Sequence, residues 1–599
     1  MPPTTIFSIP PEVISVVGSY LDQRSLAHSL LVCHEWRSLF TSSFWRNVRN
    51  VGQHADTSFT TPESKEALFR NKHHIRVLET TQPWLIFNLT LQPELLPPQP
   101  SLPTPPIALE GLQSLTFRPY CPFLNVPRPT WSISKIREQE YEALRIAINN
   151  KLLNSILQVS THLRSLTIVE GCFWDLDKND VFLELTLHFP ATTLERLHIT
   201  FDRATRQVLK GVRLNLQDQF QDAILRYGPH PCFRALKEIT FSTTCGYIIP
   251  TRMVFLLRCK SLERIRLEEV DMRFLELLPA VIQPILTLTK LEWVGKNDYE
   301  DKIIADVLLS SMSGWRVLRL PCMEKFGPLS FGALMESVET LEELTVDDWG
   351  MVDESWLWDF LCAARNLKRL EGLKDGAMDY DVYEMVLDAS EAYFECGDGG
   401  ERRTWALGPS MEYLQMQIVG IPRPDIVCRL SGGPLHLDPE DIDYDEWPDW
   451  GEVQMWIYEQ LGRLTGLQEL VVGILDQDLS KYADMGVHPW MSEVVLEETL
   501  LGDYFTFHYR CLEFSIASGL ELLSGMKELR VLDVRSTAHR IGVEELEWMS
   551  VNWPKLEEVK GLYSCRGWTG DVEGNLKWKA AVDTWMVNHP RGIGSSFYL

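Results

Sequence analysis

No run of 18 apolar residues occurs anywhere in the 599-residue chain, so no helical membrane span is expected. The first residues, "MPPTTIFSIPPE", lack the basic region leading into an apolar run that a secretory signal needs. The expectation is therefore a soluble protein of the cytoplasm or nucleus, with Asn88-Leu89-Thr90 an accidental sequon. Close cysteine pairs are missing too. The 12 cysteines are scattered, the nearest two, Cys232 and Cys245, standing 13 positions apart, which excludes Cys-x-x-Cys metal knuckles and redox motifs. Positive charge is scarce: 57 Lys and Arg against 83 Asp and Glu give a net charge of -26, and no stretch of the sequence forms a basic patch. Such a chain repels phosphate backbones and anionic leaflets, so a protein partner is expected rather than nucleic acid or membrane.

Catalytic signatures are also missing. There is no GxxxxGK[ST], HExxH or GxSxG, and no GxGxxG preceded by a strand. The glycine-rich "CGDGGERR" lacks the Lys-Ser/Thr that would hold phosphate and magnesium, and reads as a loop. Carboxylate pairs such as Asp347-Asp348 and Glu268-Glu269 have no partner constellation, and His73-His74 is a lone pair. No enzyme, cofactor or metal site is expected.

What is present is a repeat. Leu-x-x-Leu-x-apolar recurs as "LKEITF" from Leu236, "LERIRL" from Leu262, "LTKLEW" from Leu288, "WRVLRL" from Trp315, "LEELTV" from Leu341 and "LKRLEG" from Leu367, at spacings of 26, 26, 27, 26 and 26. Looser copies begin at Ile75, Leu112, Leu163 and Leu194 upstream, and at Met411, Leu467, Leu529 and Leu556 downstream. Between motifs lie helix-compatible segments: "DKIIADVLLSSM" puts Ile303, Val307 and Leu308 on one face, and "ESWLWDFLCAARN" spaces Trp356, Phe360 and Ala363 or Ala364 at helical intervals. A strand and a helix every 26 residues cannot bury themselves alone, so neighbours must stack. The fold class expected is α/β, a solenoid with a parallel sheet on its concave face and helices outside. The period and the LxxLxL core resemble leucine-rich repeats, particularly the long ribonuclease-inhibitor-like type, except that the usual Asn or Cys after the strand is not regular. Two segments interrupt the array: a Pro-rich one at 91–106, "LQPELLPPQPSLPTPP", and an acidic insertion near 375–460 that reads as loops.

The opening stretch, "IPPEVISVVGSYLDQRSLAHSLLVCHEWRSLF", has a different rhythm. A first helix starts near Pro10-Pro11-Glu12 and lines up Val13, Ile14, Val17, Tyr20 and Leu21; Asp22 or Ser25 caps a second carrying Leu26, Leu30 and Cys33; Trp36, Leu39 and Phe40 mark a third. Three such short helices are too few to hold a core alone. Read from periodicity, they are a cap sealing the first repeat. The proline at the helix start, the Leu26 and Leu30 seam, and Val32-Cys33-x-x-Trp36-x-x-Leu39 with Trp45 downstream resemble an F-box over residues 7 to about 48, with Ile9 in place of the commoner leucine.

That resemblance divides the chain into an F-box helical motif at 1–50 and a repeat solenoid at 51–599. It implies a non-catalytic receptor whose helices bind a Skp-family adaptor, and through it a cullin-RING ubiquitin ligase, while the repeats hold an unknown target protein. By position, Ile9, Pro10, Val13, Ile14, Val17, Leu21, Leu26, Leu30, Val32, Cys33, Trp36 and Leu39 would form or support the adaptor-facing surface. The alternative from another class is a repeat scaffold with a helical cap and no ligase role.

For the target, side chains between the core leucines of each strand point to the open face. That column reads Thr240, Arg266, Glu292, Arg319, Thr345 and Glu371; Arg266, Glu292 and Arg319 are expected to form a cross-strand ladder of ion pairs, either satisfying each other or, with Glu371, contacting a substrate. Most of the 20 tryptophans read as core filler, but Trp447 and Trp450 sit among Asp438, Glu440, Asp441, Asp443, Asp445, Glu446 and Asp449, where a core role is harder to arrange. They are candidates for docking a basic partner segment.

Overall fold

The computed structural model describes residues 10–50, 61–81, 109, 111–118, 149–169, 181–201, 216–227, 232–243, 250–270, 272–295, 299–321, 325–346, 354–372, 385–395, 403–421, 450–472, 511–535, 537, 539–563, 572–589 and 593. The Pro-rich segment at 91–106, Ile9 and Trp447 lie outside them. The chain divides into two compact units, residues 1–288 with 310–313, and residues 289–309 with 314–599.

In the first unit three helices, α1 (Pro11–Tyr20), α2 (Gln23–Val32) and α3 (His34–Arg46), lead without a break into the first strand. Seven strands follow in chain order, each hydrogen-bonded in parallel to the next: β1 (Asn47–Asn50), β2 (Val77–Thr80), β3 (Ser114–Phe117), β4 (Ser165–Val169), β5 (Arg196–Phe201), β6 (Glu238–Thr243) and β7 (Arg264–Glu268). A further helix, α4 (Pro62–Asn71), joins β1 to β2. The second unit repeats the plan with β8 (Lys290–Val294), β9 (Val317–Leu320), β10 (Glu343–Val346), β11 (Arg369–Gly372), β13 (Tyr413–Gln415), β15 (Glu469–Val471), β16 (Val531–Asp533) and β17 (Glu558–Lys560). Beside it β12 (Val386–Asp388) pairs in parallel with β14 (Gln417–Val419). Parallel strands in chain order, separated by helices or 3-10 turns, are the arrangement a solenoid requires.

The motif spacing dictates this. In "LERIRL", Leu262, Ile265 and Leu267 are buried while Arg264, Arg266 and Glu268 between and beside them stay half-buried on the other face, the period-two alternation of a strand. Every copy superimposes in register at its fourth position: Leu78, Leu115, Leu166, Leu197, Ile239 and Ile265 in the first unit, and Leu291, Leu318, Leu344, Leu370, Leu414, Leu470, Leu532 and Val559 in the second. All fourteen are buried, and each contributes about 1.5–3 kcal/mol of transfer free energy. The threonine that precedes three of the motifs ties repeats together. Thr193, Thr287 and Thr340 donate from Oγ1 to the carbonyls of Leu163, Leu262 and Trp315, the first residue of the preceding motif, at 3.0, 2.7 and 2.9 Å.

The inter-motif helices supply the second layer. Asp301–Leu308 buries Ile303, Ile304, Val307 and Leu308. In Glu354–Ala363, Leu357, Trp358, Phe360 and Leu361 are buried, whereas Trp356 is half-buried and stacks on Phe331 at 5.0 Å. Trp358 lies 4.8 Å from Trp456 and 6.3 Å from Trp405, all three in the core. The indole N–H groups of Trp315 and Trp553 reach the carbonyls of Leu308 and Leu523 at 2.7 and 2.9 Å, which is how large amphipathic rings are buried at low cost.

The stretch near 375–460 is not loop throughout. It contains β12, β13, β14 and the helices Ala389–Glu395 and Trp450–Gly462, because apolar residues such as Leu387, Leu414, Ile418 and Ile457 interrupt its polar composition and are buried. Trp450 opens the second of those helices.

Candidate functional site

The three N-terminal helices are delimited by local chemistry. Pro10 and Pro11 start α1, where a missing N–H costs nothing. Asp22 caps α2, its carboxylate accepting from the Ser25 N–H at 2.6 Å; that bond, more than any other influence, holds the carboxyl below its ordinary pKa. Cys33 breaks α2 from α3 in an extended conformation, and its Sγ accepts from the Trp36 N–H at 3.4 Å. The Arg37 guanidinium closes the end of α2 by donating to the Leu30 carbonyl at 3.3 Å.

Inside, Ile14, Leu26 and Phe40 form a small buried core, with Leu21, Leu30, Trp36, Leu39 and Phe44 packed around it. Trp36 and Phe40 are tilted rings 5.5 Å apart. Close approach of α1 to α3 depends on Gly18, where a Cβ would stand 2.4 Å from Ser43 Oγ. This core accounts for only part of the apolar surface. On α1, Val13 (47% exposed), Val16 (56%), Val17 (46%) and Tyr20 (86%) remain open to solvent, and at the end of α2 Leu31 (75%) and Val32 (61%) are exposed, as is Cys33. Isolated exposed apolar residues are ordinary; four within a ten-residue helix of fewer than three turns, gathered to one side of its buried face, make a second apolar face.

The structure therefore separates the residues that the sequence grouped together. Val13, Val17, Val32 and Cys33 are accessible, as is Pro10; Ile14 and Leu26 are buried; Leu21, Leu30, Trp36 and Leu39 pack the core edge. Val16 and Leu31 were not singled out by spacing, and Tyr20 was read as part of the helix face. The signal available was excess: α1 has more apolar residues than one face can bury.

On the open sheet faces, the register places Glu292 opposite Arg319 and Thr345 between Arg319 and Glu371, in the column expected. Arg266 Nε bonds Glu268 Oε1 of its own strand at 2.6 Å, and Arg369 Nε bonds Glu371 Oε2 at 2.9 Å. Residues two apart on a strand share a face and lie about 7 Å apart, within reach of a guanidinium. Arg369 also stacks over the Tyr413 ring at 3.8 Å, whose hydroxyl donates to Gln415 Oε1 at 2.8 Å; burial raises the Tyr413 pKa, and Glu371 reinforces the shift.

Cross-strand ion pairs also join the second positions of several motifs. Arg164 pairs with Glu195 at 3.5 Å and Lys237 with Glu263 at 3.0 Å in the first unit; in the second, Arg316 and Lys368 flank Glu342 at 2.6 and 3.0 Å, and Arg530 pairs with Glu557 at 3.7 Å. The signs alternate from repeat to repeat, a pattern that alignment of the second motif positions exposes. These pairs are solvated, worth a few tenths to about 1 kcal/mol each, and mark architecture rather than a site.

Among the described residues no group of three or more His, Cys, Asp or Glu is placed to hold a metal ion, and no helix is long and apolar enough to cross a membrane. Cys259 is fully buried, and burial pushes its thiol pKa up, which makes it inert.

Residues 6–50 match the F-box-like family. No curated protein matches the chain. Among solved structures, a chain in the crystal structure of the Rad7 and Elc1 complex in yeast is similar over 93% of both chains, with 12% identity and a TM-score of 0.31.

Proposed function

We propose that this chain is a non-catalytic substrate receptor of a ubiquitin ligase: its N-terminal helices dock a Skp-family adaptor, which links it to a cullin-RING core, and its leucine-rich-repeat sheet faces hold a target protein. The observation that carries this reading is the second apolar face of α1, together with Leu31 and Val32, inside the segment that matches the F-box-like family. A helix of ten residues, apolar on two faces, buries one against α3 and leaves the other for a partner.

On this reading Val13, Val16, Val17, Tyr20, Leu31 and Val32, with Pro10 and Cys33, contact the adaptor, and Ile9 next to Pro10 in sequence is proposed to join them. Ile14, Leu21, Leu26, Leu30, Trp36 and Leu39 hold the helices in the shape that presents them. Burying six apolar side chains at about 1.5 kcal/mol or more each supplies the gross driving force of a stable complex, from which the costs of association are subtracted. The chemistry of ubiquitin transfer belongs to other subunits; this one raises the target's effective concentration beside them, in the cytoplasm or nucleus. Arg266 in the first unit, and Glu292, Arg319 and Glu371 in the second, lie on the sheet faces assigned to targets, and Trp450 begins a helix that follows in sequence the acidic segment holding Trp447.

Co-expression of the full chain with a Skp-family adaptor, followed by affinity capture and sizing, tests the reading. A complex with one adaptor per chain is expected. A chain that runs alone at all concentrations reduces the N-terminal helices to a cap on a repeat scaffold.

A further inference from the structure

The first unit gathers what the sequence scatters. Five arginines from four strands stand on or beside its open sheet face: Arg49 on β1, Arg118 directly after β3, Arg196 on β5, and Arg264 and Arg266 on β7. Among the described residues, three carboxylates share that face. Glu79 lies 3.8 Å from Arg49 and 3.9 Å from Arg118, serving both weakly; Glu238 is 4.0 Å from Arg264; Glu268 pairs closely with Arg266 at 2.6 Å. Arg196 is exposed, with no ion-pair partner among the described residues. In a chain of net charge -26, the described residues of this face carry five guanidiniums against three carboxylates.

Between the arginines the face is lined by hydroxyls. The middle column runs Thr116, Thr167, His198, Thr240, Arg266 across β3 to β7, with Ser114 and Ser165 in the column beside it. His198 approaches Thr200 Oγ1 at 3.3 Å, and burial keeps its imidazole pKa below the ordinary value, so near neutrality it is uncharged and hydrogen-bonds instead of repelling the arginines. No Phe, Tyr or Trp occurs in these columns, so the face lacks the run of large rings on which single-stranded nucleic acid stacks its bases.

We infer that this face receives an acidic segment of a target protein, laid across the strands with its carboxylates or phosphate groups on the arginines and its backbone on the Ser and Thr hydroxyls. The six strand intervals from Arg49 on β1 to Arg266 on β7 span about 29 Å, the length of roughly nine extended residues. This deepens the receptor reading above and rests on it for the meaning of the target, but not for the binding itself.

The test is fluorescence anisotropy with the full-length chain and a short labelled Glu- and Asp-rich peptide, a phosphoserine version, a neutral Ser/Gly peptide and a single-stranded oligonucleotide. The acidic peptides are expected to bind, more weakly as salt rises, and to lose about tenfold or more in affinity in Arg118→Gln/Arg196→Gln, both exposed positions, with Arg118→Lys/Arg196→Lys retaining most of it. The two peptides together distinguish carboxylate from phosphate as the preferred anion, and either preference supports the inference. Acidic peptides binding no better than the neutral one, equal affinity in the Gln variant, or tighter binding of the oligonucleotide overturns it. Adaptor capture by the same variants separates the two proposals: capture retained without peptide binding removes this inference alone.

Discussion

Leu26 and Leu31 lie on the same helix five positions apart and meet opposite environments: Leu26 is 3% exposed in the core with Ile14 and Phe40, while Leu31 is 75% exposed at the helix end. Two leucines of one type thus separate the two demands on this segment, to fold and to dock. Leu26→Ala is expected to cost about 2–4 kcal/mol of local stability and to raise amide hydrogen exchange through residues 11–46. Leu31→Asp is expected to leave that exchange unchanged and to abolish adaptor capture. Equal exchange in both variants contradicts the assignment.

Gly18 carries the contact between α1 and α3. Gly18→Ala drives a methyl group against Ser43 and is expected to cost about 1–3 kcal/mol, more than the gain in helix propensity returns. Ser43→Gly in the same chain should recover much of the loss, because both the Ser43 Oγ and the Ser43 Cβ lie within 3 Å of the added carbon. Thermal melting of the single and double variants measures it; an additive double variant refutes it.

Asp301 begins one helix and caps the next. Its carboxylate accepts from the backbone N–H groups of Gly327 and Ser330 at 2.9 Å each and of Leu329 at 3.1 Å, joining successive repeats. Burial raises its pKa, but the hydrogen bonds from Ser330, Leu329 and Gly327 outweigh it and the net shift is downward. A depressed carboxyl contributes stability above its unfolded value, near 3.8, and that contribution disappears as pH falls through the folded value. Asp301→Ala should therefore cost about 0.5–2 kcal/mol at neutral pH and nothing at acid pH, as read from urea unfolding of both proteins across pH. A difference that persists at the acid end contradicts the capping account.

Reversing one charge among the second-position pairs puts three cations in line. Glu342→Lys is expected to lower the melting temperature by an amount that salt reduces, and Arg316→Glu in the same chain to restore part of it. Glu342 sits between Arg316 and Lys368, and the hydrogen bond from Lys368, followed by that from Arg316, holds its carboxyl pKa down. A salt-independent loss would assign the effect to packing instead.

The frame of the fold was legible because one periodicity decides it. Burial of Leu262, Ile265 and Leu267 requires the strand, and repetition of the motif sets the register, so even the looser copies at Ile75 and Leu529 lie in the sheet. Side-chain partners were less legible. A column of alternating Arg and Glu suggests pairing across strands but does not show that Arg266 reaches Glu268 and Arg369 reaches Glu371, neighbours about 7 Å along the same strand that a guanidinium can span. On the N-terminal helices, periodicity finds apolar residues without saying which surface they meet. It grouped Ile14 with Val13, and only packing against Leu26 and Phe40 separates them. The arginine-rich face escaped because its members come from positions 49 to 266, one or two per repeat, and only the sheet brings them together.

The most direct test of the account is the affinity of the full-length chain for a Skp-family adaptor, measured by titration calorimetry on wild type and on Val17→Asp/Leu31→Asp, two exposed positions that leave the Ile14, Leu26 and Phe40 core intact. The account predicts saturable binding of one adaptor by wild type and a loss of about a hundredfold or more in the double variant, with unchanged melting, because two charges would be buried without partners. Equal binding by the two proteins, or none by wild type, would contradict it.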